Sequence, residues 1–299
     1  MFFNQMQRAL VPGLILLALA GSARADLKVV SKMTMDAPAM GGLGGGLGAN
    51  VPLPKPGEAI QTITYYKGSK TRVEEATGAV TITDNTAGTI TRIDPKKKTY
   101  SVVKIADMTK QLTDGGGPAA GFLEMLEMKV KSDVKQGGHE RVIAGKKATD
   151  YLWTATMSMS MKGGEEGAEV ANISMEGEQW TSEEIQLPDT AGKSNAPQLP
   201  GIGGGMMGGM MKMMNNMPGM KSLTATMAQI KGFSLLTNMK IKIQSPFAEA
   251  QGADLSKPVT NKTEVTELSE AELPESLFTV PTGLKKVPYE MPQIPGFGG

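Results

Sequence analysis

Thr149-Asp150-Tyr151-Leu152-Trp153-Thr154-Ala155-Thr156-Met157-Ser158-Met159-Ser160-Met161 alternates apolar and polar residues along its whole length. Odd positions carry Tyr151, Trp153, Ala155, Met157, Met159 and Met161; even positions carry Asp150, Thr154, Thr156, Ser158 and Ser160, with Leu152 the apolar exception. A period of two gathers the apolar set on one face only if the backbone is extended. At about 3.3 Å per residue this strand runs to roughly 40 Å, longer than most, so the spacing predicts a strongly curved sheet. A turn at 162–168 and a returning strand at 169–180 follow. Symmetric closure of that hairpin sets Met157 opposite Ile173, Ala155 opposite Met175 and Trp153 opposite Gly177, an indole over a strand glycine.

A second clean alternation occupies residues 233–243, with Phe233, Leu235, Met239, Ile241 and Ile243 against Ser234, Asn238, Lys240 and Lys242. Residues 27–36 alternate weakly and read as a first strand. Between 59 and 105, runs rich in Ile, Val, Thr and Tyr are cut at Lys67-Gly68-Ser69, Thr77-Gly78, Asp84-Asn85 and Asp94-Pro95-Lys96, the pattern of an antiparallel meander. Helices are predicted at 106–112 and 119–128, around Gly115-Gly116-Gly117-Pro118, and two strands on either side of Gly137-Gly138. Ser222 is the predicted cap of a helix that Gly232 ends. A strand at 262–268 precedes Ser269-Glu270-Ala271-Glu272, a capping-box pattern for a single turn. The expected fold is mainly β with short helices (α+β). It is one curved antiparallel sheet of about ten strands, an incomplete barrel closed by helices on its apolar side. It covers residues 26–287 as a single domain, with flexible insertions at 37–57 and 186–220 and a disordered Pro/Gly-rich tail at 288–299.

Composition narrows the function classes. Residues 1–25 read as a cleaved secretory signal: Arg8, an apolar run at 10–20, then Ala23-Arg24-Ala25. The exported chain is therefore expected to begin at Asp26 and to work in the periplasm. Of the 31 basic residues, Arg8 and Arg24 fall before that point, leaving 29 against 30 acidic. Such balance attracts neither nucleic acid nor an anionic membrane surface. With no cysteine, disulfides, thiolate metal sites and cysteine nucleophiles are excluded. No later stretch is apolar for long enough to span a bilayer.

Catalytic groups are poorly supplied. His139, the only histidine, lies in the Gly137-Gly138-His139-Glu140 turn and reads as an exposed loop residue. The pairs Glu74-Glu75, Glu165-Glu166 and Glu183-Glu184 are adjacent, so a strand sends their carboxylates to opposite faces. Ser101-Val102-Val103-Lys104 has the S-x-x-K spacing, but that chemistry needs a helix and this segment reads as a strand. Ala144-Gly145-Lys146-Lys147 lacks the glycine spacing and hydroxyl of a phosphate loop. The anomaly is methionine. Met206, Met210, Met213, Met217 and Met220 recur at helical spacing, although Gly208, Gly209 and Pro218 weaken that helix. Three readings stay open: an amphipathic cover over the sheet, a lid that adapts to apolar ligands, or soft thioether ligands for Cu(I).

Several segments together resemble a known family. Tyr66-Lys67-Gly68-Ser69-Lys70-Thr71-Arg72-Val73-Glu74, Arg92-Ile93-Asp94-Pro95-Lys96-Lys97-Lys98-Thr99-Tyr100, Ile143-Ala144-Gly145-Lys146-Lys147-Ala148-Thr149-Asp150-Tyr151, Glu178-Gln179-Trp180-Thr181, Lys231-Gly232-Phe233 and residues 277–287 are similar, in that order, to blocks of the exported bacterial family called domain of unknown function 4412. The family is similar in pattern to periplasmic lipoprotein carriers of the LolA and LolB type, whose half-barrel holds acyl chains. The glycine and methionine insertions depart from it. The resemblance implies no catalytic residues. The expectation is a non-enzymatic envelope protein, without cofactor or metal, that binds a lipid or other apolar moiety. Tyr151, Trp153, Met157, Met159, Phe233, Leu235, Met206, Met210, Met213 and Met217 are its expected contacts. Cu(I) binding and an envelope scaffold acting through protein partners are the alternatives.

Overall fold

The computed structural model describes residues 25–36, 57–107, 126–163, 169–187, 219–246, 249 and 257–289. Its strands are β1 (Leu27–Asp36), β2 (Ala59–Lys67), β3 (Lys70–Glu74), β4 (Val80–Asp84), β5 (Thr89–Asp94), β6 (Thr99–Lys104), β7 (Leu126–Ile143), β8 (Lys146–Met161), β9 (Glu169–Ser182), β10 (Phe233–Gln244), β11 (Val259–Glu270) and β12 (Lys285–Lys286). They form one sheet in the order β12-β6-β5-β4-β3-β2-β1-β11-β10-β9-β8-β7. Two meanders, β1–β6 and β7–β11, join where β11 lies beside β1; among the described strands only β12 runs parallel to its neighbour. The protein is mostly β, and the large antiparallel sheet is curved and unclosed, with few helices. Among the described residues no helix is long and apolar enough to cross a membrane.

The hairpin of β8 and β9 has the register read from the alternation: Met157 faces Ile173, Ala155 faces Met175 and Trp153 faces Gly177. Two-residue closure of β7 onto β8 uses Ala144 and Gly145, both at positive φ (49° and 78°), as a primed turn requires. At Asp94 the carboxylate accepts the Lys97 backbone N–H at 3.0 Å and shapes the Lys-rich turn into β6.

Four expectations change. Gly137-Gly138 does not separate two strands: β7 is continuous, and a register shift between Gln136 and Glu140 absorbs the glycines as a bulge. Residues 126–128 are strand rather than helix because they pair with Met159–Met161; the rest of that predicted helix lies outside the described residues. The helix α1 (Met220–Met227) starts after Gly219 at φ 90°, with no side-chain cap, so Ser222 lies inside it. β11 runs on to Glu270 because Ser269 and Glu270 pair with Lys28 and Leu27, and the single turn falls at Glu275–Phe278 behind Pro274. The described residues hold twelve strands rather than about ten.

Two clusters hold the sheet. The larger gathers Leu27, Val29, Tyr66, Trp180, Phe233, Leu235 and Val265, with Tyr66 and Phe233 edge to face at 6.4 Å. The smaller packs Val80, Ile82 and Ile93 under Leu273 and Phe278, so the C-terminal segment straps the first meander before becoming β12. Asp26 fastens the strap. Its Oδ2 accepts the Leu273 N–H at 2.9 Å and pairs with Lys67 Nζ at 3.1 Å.

Candidate functional site

The expected contact residues divide between core and surface. Trp153, Phe233 and Leu235 are buried; Tyr151, Met157 and Met159 are half-buried. Met206, Met210, Met213 and Met217 lie outside the described residues.

Strand alternation and the pairing registers place a lattice of apolar side chains on one face of β7–β10. Met128 faces Met159; Val130 faces Met157, which faces Ile173, which faces Ile243; Ala155 faces Met175, which faces Ile241. Of these only Ala155 is fully buried; the others are half-buried. Helix α1 lies on β7 at this face: Ser132 and Thr226 share a hydrogen bond of 2.8 Å, and Gly219 sits against Val130. The next row holds Val134, Trp153, Gly177 and Met239. Beyond it the same face turns polar, with Gln179, Thr237, Thr263 and Asn261 all buried. Trp153 Nε1 and Gln179 Oε1 are buried there with no hydrogen-bond partner among the described residues. One is a donor and the other an acceptor, and burying either unpaired is costly.

The opposite face carries a groove of about 690 Å³ across β7–β11 and β1. Its lining includes the alternate residues Lys135, Leu152, Glu176, Glu178, Asn238 and Lys240, and also Trp153, Gly177 and Met239. Lys240 pairs with Glu176 at 2.8 Å, and Glu178 accepts from Asn238 at 2.8 Å and from the Trp180 indole at 2.9 Å. Leu152, the apolar exception in its strand, stands 49% exposed on this charged face. The two faces thus offer different chemistry: thioethers and isoleucines on one, paired charges on the other.

His139 is more constrained than its loop-like sequence suggests. The bulge carries it back over β8, where Asp150 Oδ2 meets Nδ1 at 2.9 Å and Oδ1 accepts the His139 backbone N–H at 2.9 Å. Gly137 makes this approach feasible, since a β carbon there would lie 2.5 Å from Asp150 Cγ. The ring remains 76% exposed while the carboxylate is 3% exposed. The hydrogen bond from Asp150 raises the His139 pKa above its usual 6.5. Burial pushes the Asp150 carboxyl up, but the ring and backbone hydrogen bonds from His139 outweigh it and hold the carboxyl below its usual value. Nε2 is the nitrogen left for other partners. The pairing was invisible in sequence because the two residues stand eleven positions apart and meet only through the three-residue bulge that holds His139. Among the described residues no three histidines or carboxylates converge on a metal position. Compared with protein-family models and with curated proteins, the chain matches none.

Proposed function

We propose that the chain is an exported, non-enzymatic binding protein of the bacterial cell envelope that holds the apolar moiety of a lipid on the methionine–isoleucine face of β7–β10. In this reading it is a LolA- or LolB-like incomplete barrel of the domain of unknown function 4412 type, acting in the periplasm, and α1 belongs to its helical cover. The observation that carries the reading is the half-buried lattice of Met128, Val130, Met157, Met159, Ile173, Met175, Ile241 and Ile243, in register across four strands. Unbranched thioethers change rotamer at low cost and follow ill-defined apolar shapes, which suits acyl chains of varied length.

Native mass spectrometry of protein purified from its own envelope fraction tests this. The expected result is a population heavier than the chain by the mass of a lipid, stripped by detergent. A homogeneous ligand-free mass, together with no uptake of fluorescent fatty acids or lipopeptides, contradicts it.

A further inference from the structure

β7 is the terminal strand of the sheet, and among the described residues no strand pairs with its outer edge. At 18 residues it is a long edge, the kind that pairs with another chain unless something prevents it. Its polar face carries Glu127, Lys129, Lys131, Asp133 and Lys135, all exposed. On β8 the residues facing them are Ser160, Ser158, Thr156, Thr154 and Leu152, none of them charged. The ion pairs formed run along β7 itself, Lys129–Glu127 and Lys135–Asp133, each at 3.6 Å. A charged ladder is therefore presented with no complement across it on the inner side.

Read in reverse, this ladder is its own complement. We propose that β7 pairs antiparallel with β7 of a second copy of this chain, about a two-fold axis at Lys131. Glu127 then faces Lys135 and Lys129 faces Asp133, each pair occurring twice by symmetry. On the other face Met128 meets Val134 and Val130 meets Ser132. Directly opposed charges of unlike sign favour a pairing and like charges oppose it. Neighbouring registers meet this criterion less well: centring on Val130 sets Glu127 against Asp133 and Lys129 against Lys131, and centring on Ser132 sets Lys129 against Lys135, which offsets its Lys131–Asp133 pairs. Lys131 meeting itself is the one repulsive contact of the chosen register. Because the axis is perpendicular to the sheet, α1 of both copies falls on the same face, flanking the seam. The competing account is that the lysines merely keep other strands away, and in that account Glu127 and Asp133 have no role in association.

Sedimentation equilibrium on the protein expressed from its full sequence and purified separates the two. The wild type is expected to dimerise. Glu127→Lys and Lys135→Glu each create two like-charge pairs and are expected to weaken the dimer about tenfold or more. Mixed in equal amounts, the two variants are expected to associate with each other at wild-type strength, because the new lysine of one meets the new glutamate of the other. Lys131→Thr is expected to tighten the wild-type dimer about fivefold. All these side chains are exposed, and matched circular-dichroism melts serve as the folding control. A wild type that stays monomeric at the highest concentration reached overturns the proposal, as does a mixture that associates no better than either variant alone.

Discussion

The indole of Trp153 lies over Gly177, its register partner on β9, and a β carbon added at 177 would sit 2.5 Å from Nε1. With no side chain at 177 the ring lies down across the strand instead of standing off it, and Trp153 becomes 6% exposed. The same row also lines the groove on the other face. One glycine therefore shapes both surfaces of the sheet.

Gly177→Ala is predicted to lower unfolding free energy by about 1–3 kcal/mol, since the ring must tilt away from an occupied position. The cost belongs to the pair, so it should largely vanish in a Trp153→Leu background, a coupling that a double-mutant cycle in urea measures. Equal cost in both backgrounds would place the strain elsewhere.

Gly137→Ala acts on a different contact. Its β carbon would lie 2.7 Å from Asp150 Oδ1 and push the carboxylate off His139. NMR titration of the single histidine should then show its pKa returning toward about 6.5. An unchanged titration would mean that the bulge yields instead of the aspartate.

The His139–Asp150 pair also predicts a pH profile. His139 has a raised pKa, so its contribution is complete below about 6.5 and fades as pH rises through the folded value. Asp150 has a lowered pKa, so its contribution is complete above about 4 and fades as pH falls through the folded value. The stability difference between wild type and His139→Ala should therefore peak near pH 5 and shrink toward both pH 3 and pH 8.5. A flat difference across that range would contradict the pairing.

Asp26 ties the start of β1 to the C-terminal strap. Asp26→Ala leaves the Leu273 N–H without its acceptor and takes the carboxylate from Lys67, which keeps the Leu273 carbonyl, and should cost about 1–3 kcal/mol. Asp26→Asn keeps an acceptor for the N–H and should recover part of that loss in thermal or chemical unfolding. Identical stability of the two variants would assign the whole effect to the ion pair.

How far the sequence was legible follows from how local each signal is. The alternation of Tyr151 through Met161 and the glycine opposite Trp153 are local, and they placed the β8–β9 hairpin in its register. Helix starts were less legible. Ser222 has the chemistry of a cap, but the left-handed conformation at Gly219 sets where α1 begins. The Gly137-Gly138 pair has the chemistry of a turn, yet pairing with β8 on both sides makes it a bulge. That bulge brings His139 to Asp150, and no residue pattern announces a contact made across it. Face assignment was also hidden: Ala148 and Asp150 are buried on one side of β8 and Trp153 and Ala155 on the other, because the packing changes face along the strand. The Met206–Met217 stripe lies outside the described residues.

The ligand is proposed to lie on the methionine–isoleucine face and not in the charged groove behind it. Titration of a fluorescent acyl probe against wild type, Met157→Thr/Ile243→Thr and Leu152→Lys distinguishes the two surfaces. The first variant puts hydroxyls into one row of the apolar lattice, and the second adds a charge to the opposite face. Saturable binding is expected for wild type and for Leu152→Lys, with affinity falling tenfold or more, about 1.4 kcal/mol, in the double variant. Binding lost in Leu152→Lys but kept in Met157→Thr/Ile243→Thr, or no binding by the wild type, would contradict it.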